Sequence, residues 1–135
     1  MDKENLIKLA KYLLSGSADW DFDMYYYETC SIGHAPEAGV PQLEDEDYPE
    51  YSGRVFGLPV FGKQWDWCFS GRWYYHDNTP HGAARRILYL VENGAPPAEW
   101  DYEEFISRNP MVRKIKFYAA FSVIAVTAVI LVCLM

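Results

Sequence analysis

Cysteine is scarce in this chain, basic charge is scarce in its first part, and charge of either sign is missing from residues 117–135. The three cysteines are Cys30, Cys68 and Cys133, an odd and widely spaced set. That excludes a disulfide-built scaffold and predicts free thiols in a reducing compartment. The first fifty residues hold three Lys/Arg against twelve Asp/Glu, and residues 1–109 hold nine against nineteen. A domain of that charge repels phosphate backbones, so nucleic acid is excluded as a partner, while a basic protein is attracted. Internal repeats and low-complexity tracts are also missing.

The uncharged run 117–135 follows a basic cluster of Arg113, Lys114 and Lys116. As a helix it reaches about 28 Å at ~1.5 Å per residue, close to the ~30 Å hydrocarbon core of a bilayer. It therefore reads as a transmembrane helix, a single-pass tail anchor, with the lipid bilayer as the first partner of the chain. The basic flank keeps the preceding residues on the cytoplasmic side by the positive-inside rule. Phe117 and Tyr118 stand where an interfacial aromatic belt belongs. The expected organisation is an α-rich cytoplasmic domain over 1–97, an acidic short helix and basic juxtamembrane linker over 98–116, and the membrane helix over 117–135.

What is abundant is aromatic: twenty of the twenty-three Phe, Trp and Tyr residues precede residue 110. A small domain has a poor ratio of core to surface, and large rings compensate because each buries much area. Fold class follows from apolar spacing. Leu6, Ile7, Ala10, Leu13 and Leu14 recur at helical intervals before Ser15-Gly16-Ser17. Ala83, Ala84, Ile87, Leu88, Leu90 and Val91 do the same between Thr79-Pro80 and Asn93-Gly94, an N-cap with proline at the first position and a left-handed glycine stop. Residues 51–58 predict a short helix ended by Gly57 and Pro59, and 100–107 a brief acidic helix. Residues 28–35 predict two helical turns, 20–27 a loop tucking its rings beneath the first helix, and 41–51 an exposed loop too charged to pack. Trp65, Trp67 and Phe69 leave strand and helix open. The fold is mainly α: a small aromatic-rich helical domain plus one C-terminal transmembrane helix.

Three sets of side chains carry candidate chemistry. Cys30 and His34 stand four apart, and with His76 and His81 they offer four metal-ligand types, although this spacing matches no structural zinc motif. The same cysteine, or Cys68, with a histidine and Asp77 offers a nucleophile, base and orienter, again without a signature around it. Neither set predicts a resident metal or cofactor, and the chain reads as non-enzymatic. Arg85 and Arg86, one turn into a helix, either receive an anion at its N-terminus or pair internally with Asp77 or an acid of 19–23; pairing is the favoured reading. The predicted partner surface is the acidic loop Glu44, Asp45, Glu46, Asp47, Tyr48, Glu50 and Tyr51, where charge and rings coincide.

Several short blocks resemble a set of small, functionally uncharacterised bacterial and phage proteins. They are Phe22-Asp23-Met24, Cys30-x-x-Gly33-His34-Ala35, Trp67-x-Phe69-Ser70 and Asp77-Asn78-Thr79-Pro80-x-Gly82-Ala83-Ala84-Arg85-Arg86-Ile87. The resemblance covers roughly residues 6–97 and implies a helical fold and a bacterial or phage setting, with no activity to carry across. Those proteins often place a second cysteine shortly before the Gly-His pair, where this chain has Ser31-Ile32. Together these features predict a membrane-tethered, non-enzymatic binding or modulator protein at the cytoplasmic face, phage- or prophage-encoded. An acidic inhibitor or immunity-type protein against a basic partner, and a small Cys/His metal or thiol enzyme, are the competing expectations.

Overall fold

A computed structural model describes residues 1–107, and these are mainly helical, with no strand among them. The chain runs α1 (Lys3–Leu14), α2 (Ser31–His34), α3 (Tyr48–Phe56), α4 (Lys63–Phe69), a 3₁₀ turn (Gly71–Tyr75), α5 (Pro80–Asn93) and α6 (Tyr102–Ser107). Met1–Trp100 form one compact unit, and α6 belongs to a second that begins at Asp101. The basic flank Arg113, Lys114 and Lys116, the belt residues Phe117 and Tyr118, and the run 117–135 lie outside the described residues. Among the described residues, no helix is long and apolar enough to cross a membrane.

Local chemistry sets each helix boundary. Asp2 caps α1 by accepting from the Asn5 amide at 3.0 Å, and Asp47 caps α3 by accepting from Glu50 at 2.8 Å. Thr79 caps α5 through the Gly82 amide at 3.0 Å, with Pro80 in the first helical position where its missing N–H costs nothing. Gly57 and Gly94 end α3 and α5 in the left-handed conformation, which glycine adopts without steric cost.

The core lies between α1 and α5, which make the most extensive helix contact among the described residues. Leu6, Leu9, Ala10 and Leu13 of α1 and Ala83, Ala84, Ile87 and Leu90 of α5 are fully buried. Alanines along α5 let the two backbones approach, so the leucines of α1 fill the space between. α3 is pinned to the start of α1 by the Asp2 amide on Phe56 O at 2.7 Å and the Asn5 amide side chain on Val55 O at 2.8 Å. Phe56, Phe69 and Trp65 pack ring on ring, and the Trp65 indole N–H donates to Ser52 Oγ at 2.7 Å. The run 65–69 is thus helical, because Trp65, Cys68 and Phe69 share one buried face of α4.

Two sequence expectations change here. The stretch 41–51 is not wholly an exposed loop: α3 starts at Tyr48, and Tyr51 is fully buried with its hydroxyl donating to Val40 O. Two of the acids beside it misdirect the reading, because Asp47 caps α3 and Glu46 braces it through Arg54. Residues 28–35 make one helical turn, not two, because the backbone of 26–30 closes a tight loop first.

Burial pushes the Tyr51 phenol up to about 12. A raised folded pKa contributes stability that is complete below the ordinary phenol value near 10 and is lost as pH climbs through about 12. Tyr51→Phe should therefore cost about 1 kcal/mol at neutral pH, the worth of one net hydrogen bond. In urea titrations at rising pH the difference from the native chain should shrink above pH ~10; an unchanged difference there would contradict the assignment.

Candidate functional site

The sequence-predicted surface divides once its side chains are placed. Glu46 is bound: its carboxylate takes Arg54 Nε at 2.6 Å and Nη2 at 2.8 Å, and also accepts from the Leu43 amide at 3.0 Å. The Arg54 hydrogen bond holds the Glu46 carboxyl down at about 2. Asp47 is the α3 cap, and Tyr51 belongs to the core rather than to any face. Glu44, Asp45 and Glu50 remain exposed, and Tyr48 is half-buried. Asp45 closes its turn at φ 62°, a left-handed conformation that aspartate tolerates better than most residues.

The Cys/His constellation does not assemble either. Cys30 is buried with its thiol donating to Tyr27 O at 3.4 Å, and burial raises its pKa, which disfavours a thiolate nucleophile. Cys68 is fully buried, and its pKa is raised by burial as well. His34 points elsewhere, lying between the Tyr12 and Phe22 rings at centroid distances of 5.9 and 6.1 Å. Its Nε2 is 3.1 Å from Asp21 Oδ1 without hydrogen-bond alignment, and neither atom has another partner. His76 and His81 are exposed. Among the described residues, no group of three or more His, Cys, Asp or Glu is placed to hold a metal ion.

Arg85 and Arg86 pair internally. Nη atoms of both lie 3.5 Å from Asp77 Oδ2. Asp77 sits over the first turn of α5, where a Cβ on Gly82 would meet its carboxylate at 2.0 Å. The anion at this helix start is therefore one of the chain's own residues. Arg85 is exposed, whereas Arg86 is 5% exposed and lies over the Trp73 ring at 4.1 Å. Burial lowers the Arg86 pKa to about 10, against the opposing pull of Asp77. Trp67, Trp73 and Trp100 pack around this point, and the Trp67 indole donates to Arg86 O at 2.9 Å.

The surface the sequence reading missed is the loop it expected to tuck inward. Trp20 is 84% exposed, and Tyr25, Tyr26 and Tyr27 are 58%, 57% and 49% exposed. Of this stretch only Met24 is buried. Backbone hydrogen bonds at several positions hold the loop in this shape. Asp23 N donates to Thr29 O at 3.1 Å, Cys30 N to Tyr26 O at 2.9 Å, and Met24 N to Asn78 Oδ1 at 2.7 Å. Asp23 Oδ1 accepts from the Tyr25 amide at 2.9 Å and from the Asn78 side chain at 3.4 Å. From beneath, Gly33 presses on the backbone of 27–28, where a Cβ would lie 2.3 Å from Tyr27 O.

The rings form two adjoining groups. Tyr26, Tyr25, Tyr74 and Tyr75 meet edge to face at centroid spacings of 5.0, 5.4 and 4.9 Å. Tyr27 stacks on Tyr48 at 5.7 Å. Burial raises the Tyr48 phenol, and the charge of exposed Glu28 adds to it, so a carboxylate borders this pair. Three consecutive tyrosines were the available signal, since a tight loop cannot turn three neighbouring rings inward. No protein-family model, no curated protein and no solved structure matches the chain.

Proposed function

We propose that this chain is a membrane-tethered, non-enzymatic binding protein whose contact face is the aromatic loop around Trp20 and Tyr25–Tyr26–Tyr27. The observation that carries the reading is ordered exposure: large rings held outward on a loop braced by several backbone and side-chain hydrogen bonds. Monomeric surfaces rarely present contiguous large apolar groups without a partner, and Tyr and Trp dominate interface energetics. Because the loop is already ordered, docking does not pay a large ordering cost. Apart from Glu46, Asp47 and Tyr51, the predicted acidic loop flanks this face, through exposed Glu44, Asp45 and Glu50 and half-buried Tyr48.

The tether rests on the sequence: the uncharged run 117–135 behind Arg113, Lys114 and Lys116. A tether raises the effective concentration toward a membrane-bound partner, so a modest interface suffices. The basic flank sets the described residues on the cytoplasmic side, and the resemblance to small bacterial and phage proteins suggests a host membrane component as the target. The test is fractionation of cells producing the full chain or an Ile124→Lys/Ile130→Lys variant, with a photocrosslinking residue in place of Tyr26. The native run should give a membrane-bound chain with a discrete crosslinked adduct, and the lysines should release it into the soluble fraction. A native chain found in the soluble fraction, or one without an adduct, overturns the reading.

A further inference from the structure

We infer that the aromatic loop takes a cationic, arginine-bearing segment of a protein partner. The inference rests on the binding-protein reading above and adds the chemistry of the occupant. Between Lys11 and Arg54 the chain carries ten acidic residues and no lysine or arginine. Trp20 and Tyr25 to Tyr27 fall inside that stretch, so this loop joins exposed aromatic surface to a local excess of acidic residues. Asp19 is exposed beside Trp20, Asp23 braces Tyr25, and Glu28 borders Tyr27 and Tyr48. Arg72 in the neighbouring 3₁₀ turn is the nearest base in sequence to Tyr74, and it is half-buried.

The geometry suits guanidinium more than ammonium. The rings of Tyr25 and Tyr26 are more than half exposed and pack edge to face, so ring face stays open to a planar cation, which stacks on it where an ammonium makes only a point contact. The described residues already make such contacts internally, Arg86 over Trp73 at 4.1 Å and Arg54 over Tyr51 at 5.9 Å. A neutral sugar would want a flat stacking platform, which perpendicular tyrosines do not offer. An anionic lipid surface is repelled by the same acids that attract arginine.

The experiment is calorimetric titration of the full-length chain in neutral detergent micelles. The probes are a short arginine–serine peptide, its lysine and glutamine counterparts, and a neutral oligosaccharide. Arginine should bind several-fold tighter than lysine, and glutamine and sugar should not bind. Trp20→Ser and Tyr26→Ser keep the charge constant and alter only exposed rings, so both should fold with unchanged thermal midpoints. Together they should weaken arginine-peptide binding about tenfold, in line with about 0.5–1 kcal/mol for each exposed cation–π contact. Glu92→Gln/Glu99→Gln, exposed and outside the acidic stretch between Lys11 and Arg54, should change it less than twofold. Equal affinity of the ring variants, equal affinity for lysine and arginine, or preference for the oligosaccharide each overturns the inference. If the peptide does not bind while the Tyr26 crosslink persists at the membrane, the occupant chemistry is wrong and the binding-protein reading stands.

Discussion

Gly33→Ala is expected to destabilise the domain by about 3 kcal/mol, the upper part of the overpacking range. On a domain of this size that lowers the thermal midpoint by roughly 15 °C. Ordinary helix propensity argues the other way, since alanine inside a helix gains about 1 kcal/mol over glycine. The decision lies in what the new methyl would meet. It would stand 2.3 Å from Tyr27 O, 2.4 Å from Glu28 O and 2.5 Å from the Glu28 carbonyl carbon. These are backbone atoms, and they cannot swing aside as a side-chain tip does. Their loop is held by the Thr29 and Cys30 amides on Tyr26 O and by Asn78 on Met24 and Asp23. Moving it breaks several bonds at once, and Tyr25, Tyr26 and Tyr27 lose their arrangement with it. The expected result is a lower melting midpoint by circular dichroism together with a lost arginine-peptide titration. A neutral or stabilising Gly33→Ala would mean the loop retreats freely, and the rigid-presentation argument would fall with it.

How far the sequence could be read depended on whether a residue's partner was near in the chain. The caps of α5 were legible because Thr79, Pro80 and Gly94 act on their own helix. The amphipathic face of α1 was legible for the same reason, although Leu14 is exposed and Leu9 is buried in its place. Illegible were the roles set by distant partners. Glu46 looked like part of a solvated acidic run until Arg54 reached it from the next helix. Tyr51 looked like a surface ring until Val40 O took its hydroxyl. Tyr25 to Tyr27 looked like core filler because their number matched what a small domain needs. What keeps them outside is Asn78, more than fifty positions away, and a glycine whose missing Cβ leaves no trace in hydropathy. Other couplings join separate stretches of chain: Asp23 meets Asn78, His34 stacks on Phe22, and Asp77 covers Gly82 and pairs with Arg86.

The second large effect concerns that last pair. Asp77→Ala should cost about 3 kcal/mol, at the low end for breaking a buried ion pair, because the carboxylate is partly open to water. It leaves Arg86 charged and buried over Trp73, with Nε and Nη2 already lacking hydrogen-bond partners. The Nη1 contact with Asp77 O at 3.4 Å is too long to compensate. Arg86→Met should behave differently. It removes the cation and keeps an unbranched chain against the tryptophans, while Asp77 keeps Arg85 and the Thr79 hydroxyl, which donates at 2.7 Å. Replacing a buried charge by an apolar isostere is often near neutral, and the lost cation–π contact limits any gain, so the expected change is within about 1 kcal/mol. The decisive measurement is the double-mutant cycle by urea unfolding. In the Arg86→Met background, Asp77→Ala should cost only about 1 kcal/mol, the worth of its remaining role at the α5 N-terminus. An undiminished cost there would show that Asp77 acts through the helix start alone. Arg86 would then be a cation that the tryptophan cluster holds without a carboxylate, and Asp77 would matter only for starting α5.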